Sequence, residues 1–165
     1  MVTHSEAPAL ETRRFTADEI LQGTIENARS ELSRSLTKLG FSGVAGGITM
    51  GLTALGISAM HAFLGEGGWR DLVAYLAYPL GFIAVIIGRA QLFTENTLYP
   101  VVLVLDERKH LIRMLRLWGS VFVANVAGAW IFAALVAKSS ALHPDMLSAT
   151  VKMGSNAASG NAAHF

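Results

Sequence analysis

The sequence contains no cysteine, which excludes a disulfide framework, a thiolate metal site and a thiol nucleophile, and leaves the redox compartment open. It is also short of charge. Only 15% of its 165 residues are Asp, Glu, Lys or Arg, against about 25% in ordinary soluble domains. A net charge of +1 supplies no general pull toward nucleic acid or acidic partners, so no nucleic-acid partner is expected and the placement of charges matters more than their sum. There is no HExxH and no phosphate-binding glycine loop. Residues 1–38 carry charges of both signs and no apolar core segment, so no cleavable signal peptide is expected there.

What is present is oil. Hydrophobic residues make up 52% of the chain, 16 glycines accompany them, and the mean hydropathy is positive, so the chain reads as an all-α membrane protein. Between Lys38 and Glu66 lie 27 residues without a charge, enough for a tilted transmembrane helix, which needs about 20. A second uncharged run covers Leu72 to Gly88, and a third covers the 21 residues from Leu117 to Ala137. The expected organisation is a disordered tail over 1–15, an amphipathic helix over 16–39, and a three-span repeat over 40–137. The three spans are 40–64, 72–105 and 117–137, and an extracytoplasmic tail occupies 138–165. The first helix starts near Thr16 with Asp18 and Glu19 in its first turn, and Ile20, Ile25, Leu32, Leu36 and Leu39 recur at roughly helical spacing. It is placed at the membrane surface, the alternative being a soluble helix that packs on another domain. Arg29, Arg34 and Lys38 precede the first span and Arg108, Lys109, Arg113 and Arg116 fill the second link, whereas the first link has only Arg70. The positive-inside rule then expects a cytoplasmic N-terminus and, after three crossings, an outer C-terminus.

The second span is interrupted by GRAQLFTEN, residues 88–96, which bring Arg89, Gln91, Thr94, Glu95, Asn96 and then Thr97 into an apolar run. Leu72 to Leu105 is 34 residues, which as one straight helix would reach about 51 Å, against a hydrocarbon core of about 30 Å. Two crossings fail as well, because Leu98 to Leu105 is only 8 residues. One crossing by a helix broken near 89–97 fits. Irregular backbone is tolerated at depth only where protein buries it or water lines it, so the break points to a pore or binding site. Arg89 and Glu95 would each cost about 2.5–3.5 kcal/mol near the bilayer centre if left alone, so they should face a cavity or pair, with each other or elsewhere. The alternative is a break near the interface, with these groups simply wet. Thr94, Asn96 and Thr97 bring hydroxyl and amide donors to the break, and Thr and Asn could also cap the half-helix that follows.

YPLGFIAVIIGRAQLFTEN, followed by ERKHLIRMLRLWGSVFVANVAGAW, resembles the formate/nitrite transporter family over roughly residues 16–165, with Leu92-Phe93-Thr94 as the most specific element. The resemblance implies half of a six-helix, aquaporin-like inverted-repeat channel in a bacterial inner membrane, assembled as a homopentamer and carrying small monovalent anions or weak acids. Formate, nitrite, hydrosulfide and lactate are the expected class of cargo, with no cofactor and no metal. By the same resemblance Leu92 and Phe82 contribute to the cytoplasmic-side constriction, beside Phe93; Tyr78 is the aromatic of the outer one. Thr94 matches a hydroxyl that meets a central histidine donated by the fifth helix. That histidine has no counterpart, since none of His4, His61, His110, His143 and His164 sits on a second broken helix. Arg89 and Glu95 stand where small residues are expected.

Gly43, Gly47 and Gly51, four apart, give the first span a smooth face for close helix packing, and Asn125 and Gly128 with Ala124 and Ala127 do the same for the third. Pro79 is expected to kink the half-helix that runs from about Leu72 to Gly88, or to loosen its hydrogen bonding. Asp106, Glu107, Arg108, Lys109 and His110 read as a solvated turn, or as a basic cluster for anionic lipid. Ser58 and His61 are three apart and could share a helix face, but no third group completes a hydrolase site, so no catalytic residue and no enzyme is expected. The ending NAAHF suggests an N-terminal fragment; a small accessory protein that assembles through its glycine faces is the alternative.

Overall fold

The computed structural model describes residues 14–139 and 142–160. Most of the tail expected over 1–15, together with His4 and His164, lies outside the described residues. The described part is helical: α1 (Ala17–Ser33), α2 (Leu36–Leu64), α3 (Trp69–Tyr75), α4 (Leu80–Gly88), α5 (Leu98–Glu107), α6 (Leu111–Lys138) and α7 (Pro144–Ala158). Among the described residues, three segments are long and apolar enough to cross a membrane: Leu36–Leu64, Trp69–Gly88 and Leu111–Lys138.

Helix α1 starts where its capping residues put it. The Thr16 hydroxyl accepts from the Glu19 N–H and the Glu19 carboxylate accepts from the Thr16 N–H, so two otherwise orphaned donors are satisfied reciprocally. Ile25, Ala28 and Leu32 form one buried stripe that packs with Leu39, Leu103, Met114, Leu117 and Val121. The helix therefore covers α5 and α6 of its own chain, while Ile20 and Leu36 remain exposed. The pattern expected to run unbroken over 16–39 stops at Ser33. Arg34 and Ser35 are extended, and the Ser35 hydroxyl caps α2 by accepting from the Lys38 N–H.

Helix α2 is the centre of the molecule, with α6, α4, α3 and α7 arranged around it. Its contact with α6 is a backbone contact. A Cβ on Gly43 would lie 2.7 Å from that of Ala124, and one on Gly47 or Gly128 would strike the carbonyl oxygen of Asn125 or Val44. The glycines thus let the two rods touch. Gly43, Gly47 and Gly128 are thus used inside one chain.

Pro79 divides the second span as expected, but through a complete turn over 76–79 rather than a bend. Thr53 of α2 repairs the gap. Its hydroxyl donates to the Tyr78 carbonyl at 2.9 Å and accepts from the Gly81 N–H at 3.1 Å. In the expected tail, α7 begins at Pro144, whose missing N–H is no loss in a first turn. It lies on α2, where Thr150 donates to Ser58 at 2.9 Å and Lys152 pairs with Glu66.

Candidate functional site

The polar segment begins where α4 ends. Arg89 adopts a left-handed conformation, φ 50° and ψ 35°, and closes the helix with its N–H bonded to the carbonyls of Ile86 and Val85. An L-residue pays sterically for that conformation and glycine does not, so an arginine there marks a position held by its surroundings. Residues 90–94 are irregular, Glu95–Thr97 form one turn of 3-10 helix, and α5 follows.

Backbone groups in the irregular stretch find partners on the two long helices. Asn125 supplies most of them: its Oδ1 accepts from the Phe93 N–H at 2.8 Å, and its Nδ2 donates to the carbonyls of Gln91 at 2.9 Å and Gly43 at 2.8 Å. The Gln91 N–H donates to the Ser42 carbonyl at 3.3 Å. Gly46 permits the approach, since a Cβ there would sit 2.5 Å from the Gln91 oxygen. Asn125 lies near the midpoint of α6, about 20 Å from either end at 1.5 Å per residue.

A second set of bonds ties the segment to itself. The buried Asn96 donates to the Gln91 side chain and to the Leu92 carbonyl, and its own carbonyl accepts from the Trp118 indole at 3.0 Å. The Thr97 hydroxyl donates to the Thr94 carbonyl at 2.7 Å, so neither Thr97 nor Asn96 caps α5. Leu92 is buried, and Phe93 packs edge-on against Trp118 and Phe122.

Gln91, Leu92, Phe93 and Asn96 are therefore gathered into one network with Gly43 and Asn125. The remaining candidate side chains point away from it. Arg89, Thr94 and Glu95 are exposed, as are Phe82 on α4 and Tyr78 in the turn before it. No ion pair joins Arg89 to Glu95 among the described residues. Gly128 packs against Val44, and Gly51 against Phe132. Sequence reasoning passed over Ser42, Gly46 and Trp118. The Gly46-Gly47 doublet and an indole N–H in an apolar span needing a partner are the signals that could have found two of them. No cluster of three metal-ligating side chains occurs among the described residues.

The family described as "Formate/nitrite transporter" matches residues 18–164. The inner membrane protein YfdC of Escherichia coli K12 is 34% identical over 113 residues, 65% of this chain and 36% of that protein. A probable formate transporter of Methanothermobacter thermautotrophicus is 34% identical over 62 residues, 38% of this chain and 23% of that protein. The chain thus aligns with about a third or less of the length of these curated relatives. No solved structure matches. With three span-capable helices among the described residues and a match over nearly its whole length, this chain belongs to the formate/nitrite transporter family.

Proposed function

We propose that the chain forms one half of the wall of a path for small monovalent anions or their conjugate acids, with the second membrane crossing broken between Gly88 and Leu98. The observation that carries this reading is the clamp by Asn125. An amide at the midpoint of a span-length helix holds irregular backbone, and a break at the membrane surface would have water to satisfy those groups and no need of such an anchor. That depth favours a break inside the membrane over one at its interface.

With Asn96 and Gln91 turned into the protein, Thr94 is the exposed hydroxyl left to solvate a passing ion, and Arg89 is the nearby cation that draws it in. Glu95, exposed beside Thr94, tempers that attraction and favours passage as a neutral acid. Phe82 and Tyr78 supply exposed apolar surface for the constrictions. The opposing wall is an inverted second repeat, five such subunits assemble, and the N-terminus lies in the cytoplasm.

Stopped-flow uptake of formate, nitrite, hydrosulfide and lactate into liposomes at two pH values tests the proposal. The 165-residue chain alone should give no flux, and a protein in which it continues into a second three-span unit should conduct at least one of these acids. Flux from the chain alone refutes the half-wall. Absence of flux for every acid in the longer protein refutes the anion path.

A further inference from the structure

The turn between α5 and α6 carries a feature that the transport path does not use. A groove of about 670 Å³ opens there, lined by Arg108, Lys109, His110 and Arg113 together with Val104, Leu111 and Ile112. All three cations are exposed, and none has a hydrogen-bond or ion-pair partner among the described residues.

The nearest acid does not neutralise them. Glu107 is engaged by His110, itself part of the groove lining, at 3.0 Å and by Arg29 at 2.5 Å. Those contacts hold its carboxyl below the ordinary value of 4.5, the His110 hydrogen bond first and the Arg29 bond second. The remaining acid, Asp106, is exposed and is not part of the groove lining. Three cations against one carboxylate leave a local charge of +2.

Backbone conformation helps to display these groups. Arg108 has φ 49° and His110 has φ 68°, both left-handed conformations that glycine would adopt without strain. Apart from His110, which Glu107 holds, the rest of the groove is apolar and open, with Ile112 83% exposed and Leu111 and the neighbouring Leu105 also uncovered. A dissolved anion would use the cations and leave that wall wet. An amphiphile with an anionic head would use both.

We propose that this groove is a headgroup site for an anionic phospholipid, in which Arg108, Lys109 and Arg113 hold the phosphate and Val104, Leu111 and Ile112 meet the start of the acyl chains. Its position suits that occupant. The groove stands at the first turn of α6, a helix long and apolar enough to cross the membrane, so it lies at the level where lipid phosphates lie. Guanidinium groups match phosphate oxygens with paired N–H donors, which favours arginine at two of the three positions. The inference rests on membership of a membrane family and not on the anion path.

The test is native mass spectrometry of the full chain released from nanodiscs that contain phosphatidylglycerol and phosphatidylcholine in equal amounts. Retention of phosphatidylglycerol is expected to exceed that of phosphatidylcholine, and each of Arg108→Gly, Lys109→Gln and Arg113→Gln should reduce it about fivefold. Arg108→Gly removes a charge while relieving the backbone, so a loss of lipid there cannot be put down to misfolding. Lys138→Gln, at the opposite end of α6, should leave retention unchanged. Ile112→Ser should weaken retention too, because the apolar wall is part of the site. Equal retention of the two lipids, or full retention by the three basic-site variants, overturns the proposal. Displacement of the lipid by millimolar inorganic phosphate overturns it in favour of a site for free anions.

Discussion

Replacing Asn125 by alanine tests the core of the structural argument. The change removes three hydrogen bonds at 2.8–2.9 Å, but they are not equivalent. Gly43 lies inside α2, so its carbonyl keeps its partner in the helical ladder and loses only a second bond. The Phe93 N–H and the Gln91 carbonyl belong to irregular backbone and have no such fallback. Leaving a buried polar group unpaired costs about 1–3 kcal/mol, and a bond whose partner stays satisfied is worth about 0.5–1.5 kcal/mol. Two orphans and one lost second bond therefore sum to about 2.5–7.5 kcal/mol; partial relaxation of the loop places the expectation at the lower end, about 3 kcal/mol. Reversible unfolding in mixed micelles, followed by circular dichroism, measures it. Asn125→Asp is the sharper comparison, because it keeps the acceptor for Phe93 and sets a carboxylate against two carbonyl oxygens; it should be at least as damaging. A stability within about 0.5 kcal/mol of the parent for both variants would refute the claim that this amide holds the loop.

Gly47→Ala should destabilise the chain by about 3 kcal/mol or more in the same assay, because its Cβ meets the Asn125 carbonyl oxygen, whereas Gly88→Ala, with nothing within 4 Å, should be neutral or stabilising by about 0.5–1 kcal/mol. Equal effects would mean that α2 and α6 are not in backbone contact. Thr53→Val should cost about 1–3 kcal/mol by orphaning the Tyr78 carbonyl and the Gly81 N–H, and no loss would show that the turn at Pro79 satisfies itself. Because the carboxyl of Glu107 is held below its ordinary value, its contribution to docking α1 is present above that value and lost only as pH falls through the lowered one. Energy transfer between single-cysteine labels on α1 and α6 should therefore stay constant from neutral pH to about 5 and fall only below the ordinary carboxylate range; release beginning above pH 5 would contradict the pairing.

The apolar layout is legible because span length against bilayer thickness is a matter of counting, and the uncharged runs of this chain count unambiguously. Thr16 with Glu19, and Pro79, announce a start and an interruption by local chemistry alone. The join at Arg34 and Ser35 was hidden by an apolar pattern that continues across it, although serine three residues before Lys38 is a readable cap. Helix α7 is not announced by an apolar run long enough to cross a bilayer, the signal that marks the spans; the His-Pro-Asp start carried the information. At the site, the sequence marked the polar residues but not their directions. Nothing local distinguishes Asn96, which turns inward, from Thr94, which does not, since the choice is made by Gln91 and Trp118. The pairing of Asn125 with Phe93 is likewise a property of the packed bundle.

The side chain that fixes Phe93 lies 32 residues further along the chain. During synthesis, then, the hydrophilic stretch emerges well before its anchor exists, and it cannot settle until α6 has entered the bilayer beside α2. Insertion of this unit is in that sense sequentially incomplete: two greasy rods must meet first, and only their meeting creates the place in which the hydrophilic stretch can come to rest.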